Sequence, residues 1–107
     1  MSTGTPRRRF LFAPETFNLG ETSRGVEVAR ALARAGHDVR FMGYSRTYAP
    51  YIREAGFDLD LLAPEVDDAL AAGFFAFEQG RSLRFPFTTH TVRTRVRNEL
   101  DLIARWQ

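Results

Sequence analysis

The run Val26-Glu27-Val28-Ala29-Arg30-Ala31-Leu32-Ala33-Arg34-Ala35-Gly36-His37-Asp38-Val39-Arg40-Phe41 holds a helix, its stop and a strand within sixteen residues. Alanine, leucine and arginine favour helix. Val26, Ala29, Leu32 and Ala33 recur at helical spacing and form an apolar stripe. Gly36 stands where a left-handed C-terminal cap belongs. Asp38 to Gly43 then reads as a strand. Upstream, Thr22 or Ser23 is placed to cap the helix, so Glu15 to Gly25 reads as a polar loop with two glycines.

The same unit extends in both directions. Phe10-Leu11-Phe12-Ala13 is a short apolar run stopped by Pro14, which reads as a buried strand. Arg7, Arg8 and Arg9 before it read as a solvated flank. After Gly43, Tyr48 to Gly56 reads as a short helix with Pro50 near its first turn. Phe57 to Ala63 alternates around Leu59 and Leu61 and stops at Pro64, a third strand. Strand, helix, strand, helix, strand at these spacings predicts an α/β fold with parallel pairing and right-handed crossovers. The expected arrangement is half of a doubly wound sheet, three strands in the order 3-2-1.

The remainder is less regular. Val66 to Glu78 has helical composition, with an expected break at Gly73 and with Phe74, Phe75 and Phe77 close together. Gly80 to Phe87 reads as a loop containing Phe85 and Phe87. From Thr88 or Thr89 an amphipathic helix is expected, with Val92, Val96, Leu100 and Ile103 in one stripe. Arg95–Glu99, Arg97–Asp101 and Asp101–Arg105 are i,i+4 pairs on its wet side. The expected organisation is one partial domain: 1–8 a flexible leader, 9–64 the alternating strands and helices, 65–87 an aromatic-rich helix and loop, 88–107 the amphipathic helix.

Composition narrows the chemistry. At 107 residues the chain suits one domain that buries roughly 65% of its unfolded surface. It has no cysteine, which excludes disulfides, thiolate zinc sites and cysteine nucleophiles. Its two histidines, His37 and His90, are far apart and make poor metal-site material. No apolar run approaches the roughly 20 residues of a membrane helix, and Met1 to Pro6 has no signal-peptide core. A cytoplasmic location is expected. All fifteen basic residues are arginine, which explains a pI near 9.7 at a net charge of only +2. Residues 1–80 carry nine arginines against eleven acids, residues 81–107 six against two. Arg95 and Arg97 have acids one turn on, and the excess is too small and too scattered for nucleic acid. An anionic membrane surface is a secondary reading of that basic segment.

The loop after the first strand is the first candidate site. Open parallel sheets bind ligands beyond the carboxyl ends of their strands. Gly20, Thr22, Ser23 and Arg24 lie there and feed a helix N-terminus, which attracts anions. The spacing Gly20 to Gly25 is neither a P-loop nor the dinucleotide fingerprint.

Strand-Ala13-Pro14, the glycine-containing loop, the run Val26 to Phe41 and the later Glu54-Ala55-Gly56-Phe57-Asp58 together resemble the start of GT-B glycosyltransferases. The similarity is to nucleotide-sugar-dependent enzymes of bacterial natural-product and glycolipid pathways, and it spans about Arg9 to Pro64. It implies the N-terminal, acceptor-binding one of two Rossmann-like domains, the other binding the nucleotide-sugar donor. Many members carry Gly-His in the first loop, the histidine acting as general base on the acceptor hydroxyl. Counting back from Leu32, that histidine position is Glu21, its glycine is Gly20, and the proline usual three residues later is Arg24. A carboxylate with an ordinary pKa near 4.3 is a poorer base than histidine unless burial raises it. His37 falls after the helix stop, where a structural role is expected.

The resemblance further implies that Phe75, Phe77 and Phe85 help line a pocket for a hydrophobic or lipid acceptor; otherwise these rings cover the sheet. The chain alone is expected to be inactive and to need no cofactor of its own. Its expected partner is a donor-binding half, a second chain, or another copy joined through the open edge of strand one. Two other readings stay open: a non-catalytic subunit of a two-chain glycosyltransferase, and a small nucleotide- or phosphate-binding domain.

Overall fold

The computed structural model describes residues 6–80 and 88–106. The element order is β1 (Arg9–Phe12), α1 (Leu19–Arg34), β2 (Asp38–Gly43), α2 (Ala49–Glu54), β3 (Asp58–Leu61), α3 (Asp68–Glu78) and α4 (Thr89–Trp106). The three strands form one parallel sheet in the order β1-β2-β3, with β2 in the middle. β1 and β2 run in register from Arg9 opposite Asp38 to Phe12 opposite Phe41. The chain divides into two compact units, Met1–Asp60 and Leu61–Gln107.

In the first unit the core gathers on Phe41, which is fully buried in the central strand. The Phe12 ring meets Phe41 edge-on at 5.4 Å, and Phe57 meets it tilted at 5.4 Å. Both distances lie in the favourable range for aromatic pairs. Val26 and Ala29 of α1, Ile52 of α2 and Leu59 of β3 are buried as well. Between β2 and β3, Arg40 Nε donates to Asp60 Oδ2 at 2.8 Å, half-buried, which raises the Arg40 guanidinium further above its ordinary value.

Both helix-to-strand junctions use one device. After α1, Gly36 has φ +93° and its N–H donates to Ala33 O, while His37 N–H donates to Leu32 O. After α2, Gly56 has φ +93°, its N–H donates to Arg53 O, and Phe57 N–H donates to Ile52 O. This paired bonding is the Schellman motif, and it satisfies carbonyls the helix end would otherwise leave open. His37 is structural there: its Nδ1 accepts from Arg8 N–H at 3.1 Å and its ring meets Phe10 edge-on. Arg7 in turn forms an ion pair with Asp38, its Nε donating at 3.0 Å. That guanidinium holds the half-buried Asp38 carboxyl below its ordinary range.

Three sequence expectations change. Helix α1 begins at Leu19, two turns before Val26, so Gly20 to Gly25 is helix and not loop. Its cap is Asn18 rather than Thr22 or Ser23: Asn18 Oδ1 accepts from Glu21 N–H at 3.2 Å. Thr22, one turn before Val26, is buried and extends the inward stripe, while Ala33 is exposed. Helix α3 runs through Gly73 without a break, capped by Asp67, whose Oδ1 accepts from Leu70 N–H at 2.8 Å. In α4 the apolar stripe is outside: Val92, Val96, Leu100 and Ile103 are exposed, and the buried residue is Leu102.

Among the described residues, no helix is long and apolar enough to cross a membrane.

Gly36→Ala and Gly56→Ala should each lower stability by about 1 kcal/mol, because an L side chain is strained at that φ. Gly25→Ala should raise it by about 0.5–1 kcal/mol, since a helix interior favours alanine and the new Cβ would meet Phe41 at an ordinary 3.6 Å. Urea midpoints at fixed pH check both. The lowered Asp38 pKa makes its ion pair stabilising above the ordinary carboxylate range and lost as pH falls through the lowered value. Asp38→Asn should therefore flatten that part of the acid limb in urea midpoints taken from neutral pH to about pH 2.

Candidate functional site

Because β1 and β2 are parallel, the loops that follow them leave the same, carboxyl edge of the sheet. One loop is residues 13–18, the other 44–48. They are joined by a buried threonine. Thr16 Oγ1 donates to Ser45 O at 2.7 Å and accepts from Ser45 N–H at 3.0 Å. Tyr48 N–H donates to Thr16 O at 3.0 Å. Thr16 and Ser45 are both almost wholly inaccessible, so each of these backbone groups has lost water and needs its partner.

The clamp depends on the last residue of β2. A Cβ on Gly43 would lie 2.8 Å from both Cγ2 and Oγ1 of Thr16. Only glycine lets the threonine sit on that strand end. Ser45 is fixed further by its hydroxyl, which donates to Thr47 Oγ1 at 3.0 Å and accepts from Thr47 N–H at 3.2 Å.

Glu21 closes the other side of the first loop. Its Oε2 accepts from Glu15 N–H at 3.1 Å, while its own N–H is taken by Asn18. This is close to a capping box, with the carboxylate reaching three residues further back than the cap itself. The residue is exposed, so the carboxylate can still receive a donor hydroxyl from solvent.

Gly20, Glu21, Thr22, Ser23 and Arg24 lie together on the first turns of α1. Consecutive helical residues turn by about 100° each, so they fan around the axis and do not converge as a loop would. Thr22 points inward and is buried, Glu21 and Arg24 are exposed, and Ser23 Oγ donates to Gly20 O at 3.1 Å. Phe75 and Phe77 belong to α3 in the second unit, Phe75 half-buried and Phe77 exposed. Phe85 lies outside the described residues. Among the described residues, no group of three or more histidine, aspartate or glutamate side chains is close enough to hold a metal.

Sequence reasoning missed Thr16, Ser45 and Tyr48. The available signal was Gly43 at the end of a strand, a position where close backbone approach is a standard use of glycine. For Asn18 the signal was clear: Asn18 and Glu21 stand three apart before an apolar run.

Compared with protein-family models, curated proteins and solved structures, the chain finds no match.

Thr16→Val keeps the shape of the side chain and removes both Ser45 bonds. It should cost about 1–3 kcal/mol, the range for stranding buried polar groups. Thr16→Ser keeps both bonds and should cost clearly less. Chemical denaturation of the two variants side by side checks the difference.

Proposed function

We propose that the chain is the acceptor-binding, N-terminal portion of a GT-B glycosyltransferase. The whole enzyme would move a sugar from a nucleotide-sugar to a hydroxyl acceptor, with the donor site on another segment or chain. The observation that carries this reading is the parallel strand–helix–strand–helix–strand order with the first two loops clamped at the carboxyl edge. That edge is where open parallel sheets take their ligands. In this reading the sheet is half of a doubly wound one, in the order 3-2-1 with right-handed crossovers. In this reading Glu21 takes the family's catalytic-histidine position; it is an exposed carboxylate anchored by Glu15 N–H. It would accept the proton or the hydrogen bond of the acceptor hydroxyl, with Arg24 on the following turn.

A second reading, a non-catalytic subunit working with a separate donor chain, is favoured by one observation. Among the described residues, β1 borders the sheet and has β2 as its neighbour on one side only. An edge strand is a template for a further strand from a partner.

The test is a titration of the isotope-labelled chain followed by amide NMR. A phenolic aglycone and an alkyl glucoside serve as acceptor probes, and UDP-glucose and dTDP-glucose as donor probes. The acceptor probes should shift amides of residues 15–24, Glu21→Ala should weaken that response, and neither donor should bind or be hydrolysed. Tight binding of a nucleotide-sugar, or turnover by this chain alone, would overturn the division of roles.

A further inference from the structure

The two histidines of the chain sit differently. His90 is exposed on the first turn of α4. His37 is half-buried, and its ring is placed from three sides. Gly36, at φ +93°, turns the chain so that His37 N–H closes on Leu32 O. The ring meets Phe10 edge-on at 5.3 Å. Its Nδ1 accepts from Arg8 N–H at 3.1 Å. A backbone N–H can only donate, so the ring nitrogen facing it carries no proton.

That bond is part of a strap across the entrance to the sheet. Asp38 N–H donates to Arg8 O at 2.9 Å, so Arg8 is held through both of its backbone groups. Arg7, one residue earlier, pairs with the Asp38 carboxylate, its Nε donating at 3.0 Å. Arg9, one residue later, stands opposite Asp38 in the β1–β2 register. β1 has only four residues, so a change at its entrance touches a large part of the strand.

A second proton on the ring turns Nδ1 from acceptor into donor, aimed at another donor. The ring then has to swing away, and Arg8 N–H is left to water. The charges around the ring add to this. Arg7, Arg8 and Arg9 lie on the β1 side, Asp38 on the β2 side and Arg34 on the last turn of α1. The Asp38 carboxylate is already held by Arg7, and Arg34 is turned back to Arg30 O. We infer that His37 is a proton-operated latch: the neutral ring ties Arg7 and Arg8 to the sheet, and the charged ring releases them.

The stability that this bond supplies is present with the neutral ring. It is lost as pH falls through the range in which histidine takes its proton, roughly pH 8 to 5. The Asp38 ion pair responds lower, in the carboxylate range, so the two effects separate. This inference does not rest on the glycosyl-transfer reading.

Amide NMR of the isotope-labelled full chain from about pH 8 to about pH 5 tests it. The Arg8 amide should shift along the same curve as the His37 ring protons. Its exchange protection, corrected for the intrinsic pH dependence, should fall about fivefold, the factor that one ordinary hydrogen bond supplies. His37→Asn puts a carbonyl oxygen at the δ position, an acceptor that takes no proton. It should keep the Arg8 amide bonded at both ends of the range. His37→Phe keeps a ring against Phe10 without the acceptor and should leave that amide open throughout. His90→Asn should leave the response unchanged.

An Arg8 amide that does not follow the His37 ring overturns the proposal. This readout is taken on the unaltered chain, so it stands even where a variant fails to fold. A response that persists in His37→Asn and His37→Phe, or that vanishes in His90→Asn, also overturns it and gives the pH dependence to another group.

Discussion

The first unit depends on one side chain placed between two loops. Parallel strands deliver their loops to the same edge, but nothing in strand pairing holds those loops to each other. Thr16 does so by acting as a short piece of backbone: its hydroxyl both gives to and takes from the peptide of Ser45. The contact bridges 29 positions of sequence. It is dry, and it requires the bare Cα of Gly43 beneath it. Tyr48 N–H adds a third bond on the other side of Thr16, just before α2 begins. The carboxyl edge is therefore a fixed surface, built before any ligand arrives.

Next to that surface, the first turn of α1 is fixed from both directions. Asn18 reaches forward to Glu21 N–H, and Glu21 reaches back to Glu15 N–H. The carboxylate proposed to meet an acceptor hydroxyl is thus already engaged in holding the loop. A residue can do both when it is exposed, since a carboxylate accepts more than one hydrogen bond. The same engagement means that its removal disturbs loop and chemistry together.

Local signals in the sequence were easy to read and long-range ones were not. Gly36 and Gly56 announced the ends of α1 and α2, because a left-handed residue after a helix is written in the sequence itself. The three strands were legible from apolar runs ended by Pro14, Gly43 and Pro64. Helix α1 starts earlier than its sequence suggests, because two glycines and a polar run look like loop. What overrode that propensity was the Asn18 cap and the inward placement of Thr22. The Thr16–Ser45 clamp could not be read at all, since two hydroxyl residues in separate loops carry no pattern. In α4 periodicity gave the stripe correctly but not its direction, because a hydrophobic face says only that it wants cover.

The two glycine junctions have a consequence for changes in chain length. Each motif closes its backbone bonds within six residues, Leu32 to His37 and Ile52 to Phe57. Ala-Gly-x-Asp recurs in both, twenty residues apart, with the following strand opening at the aspartate. An insertion on the helix side of either glycine moves the junction as a whole and leaves the entry to the strand intact. A single insertion on the strand side shifts the pairing by one and turns every later side chain of that strand to the opposite face. Length variation in this fold should therefore accumulate before the glycines and be absent after them.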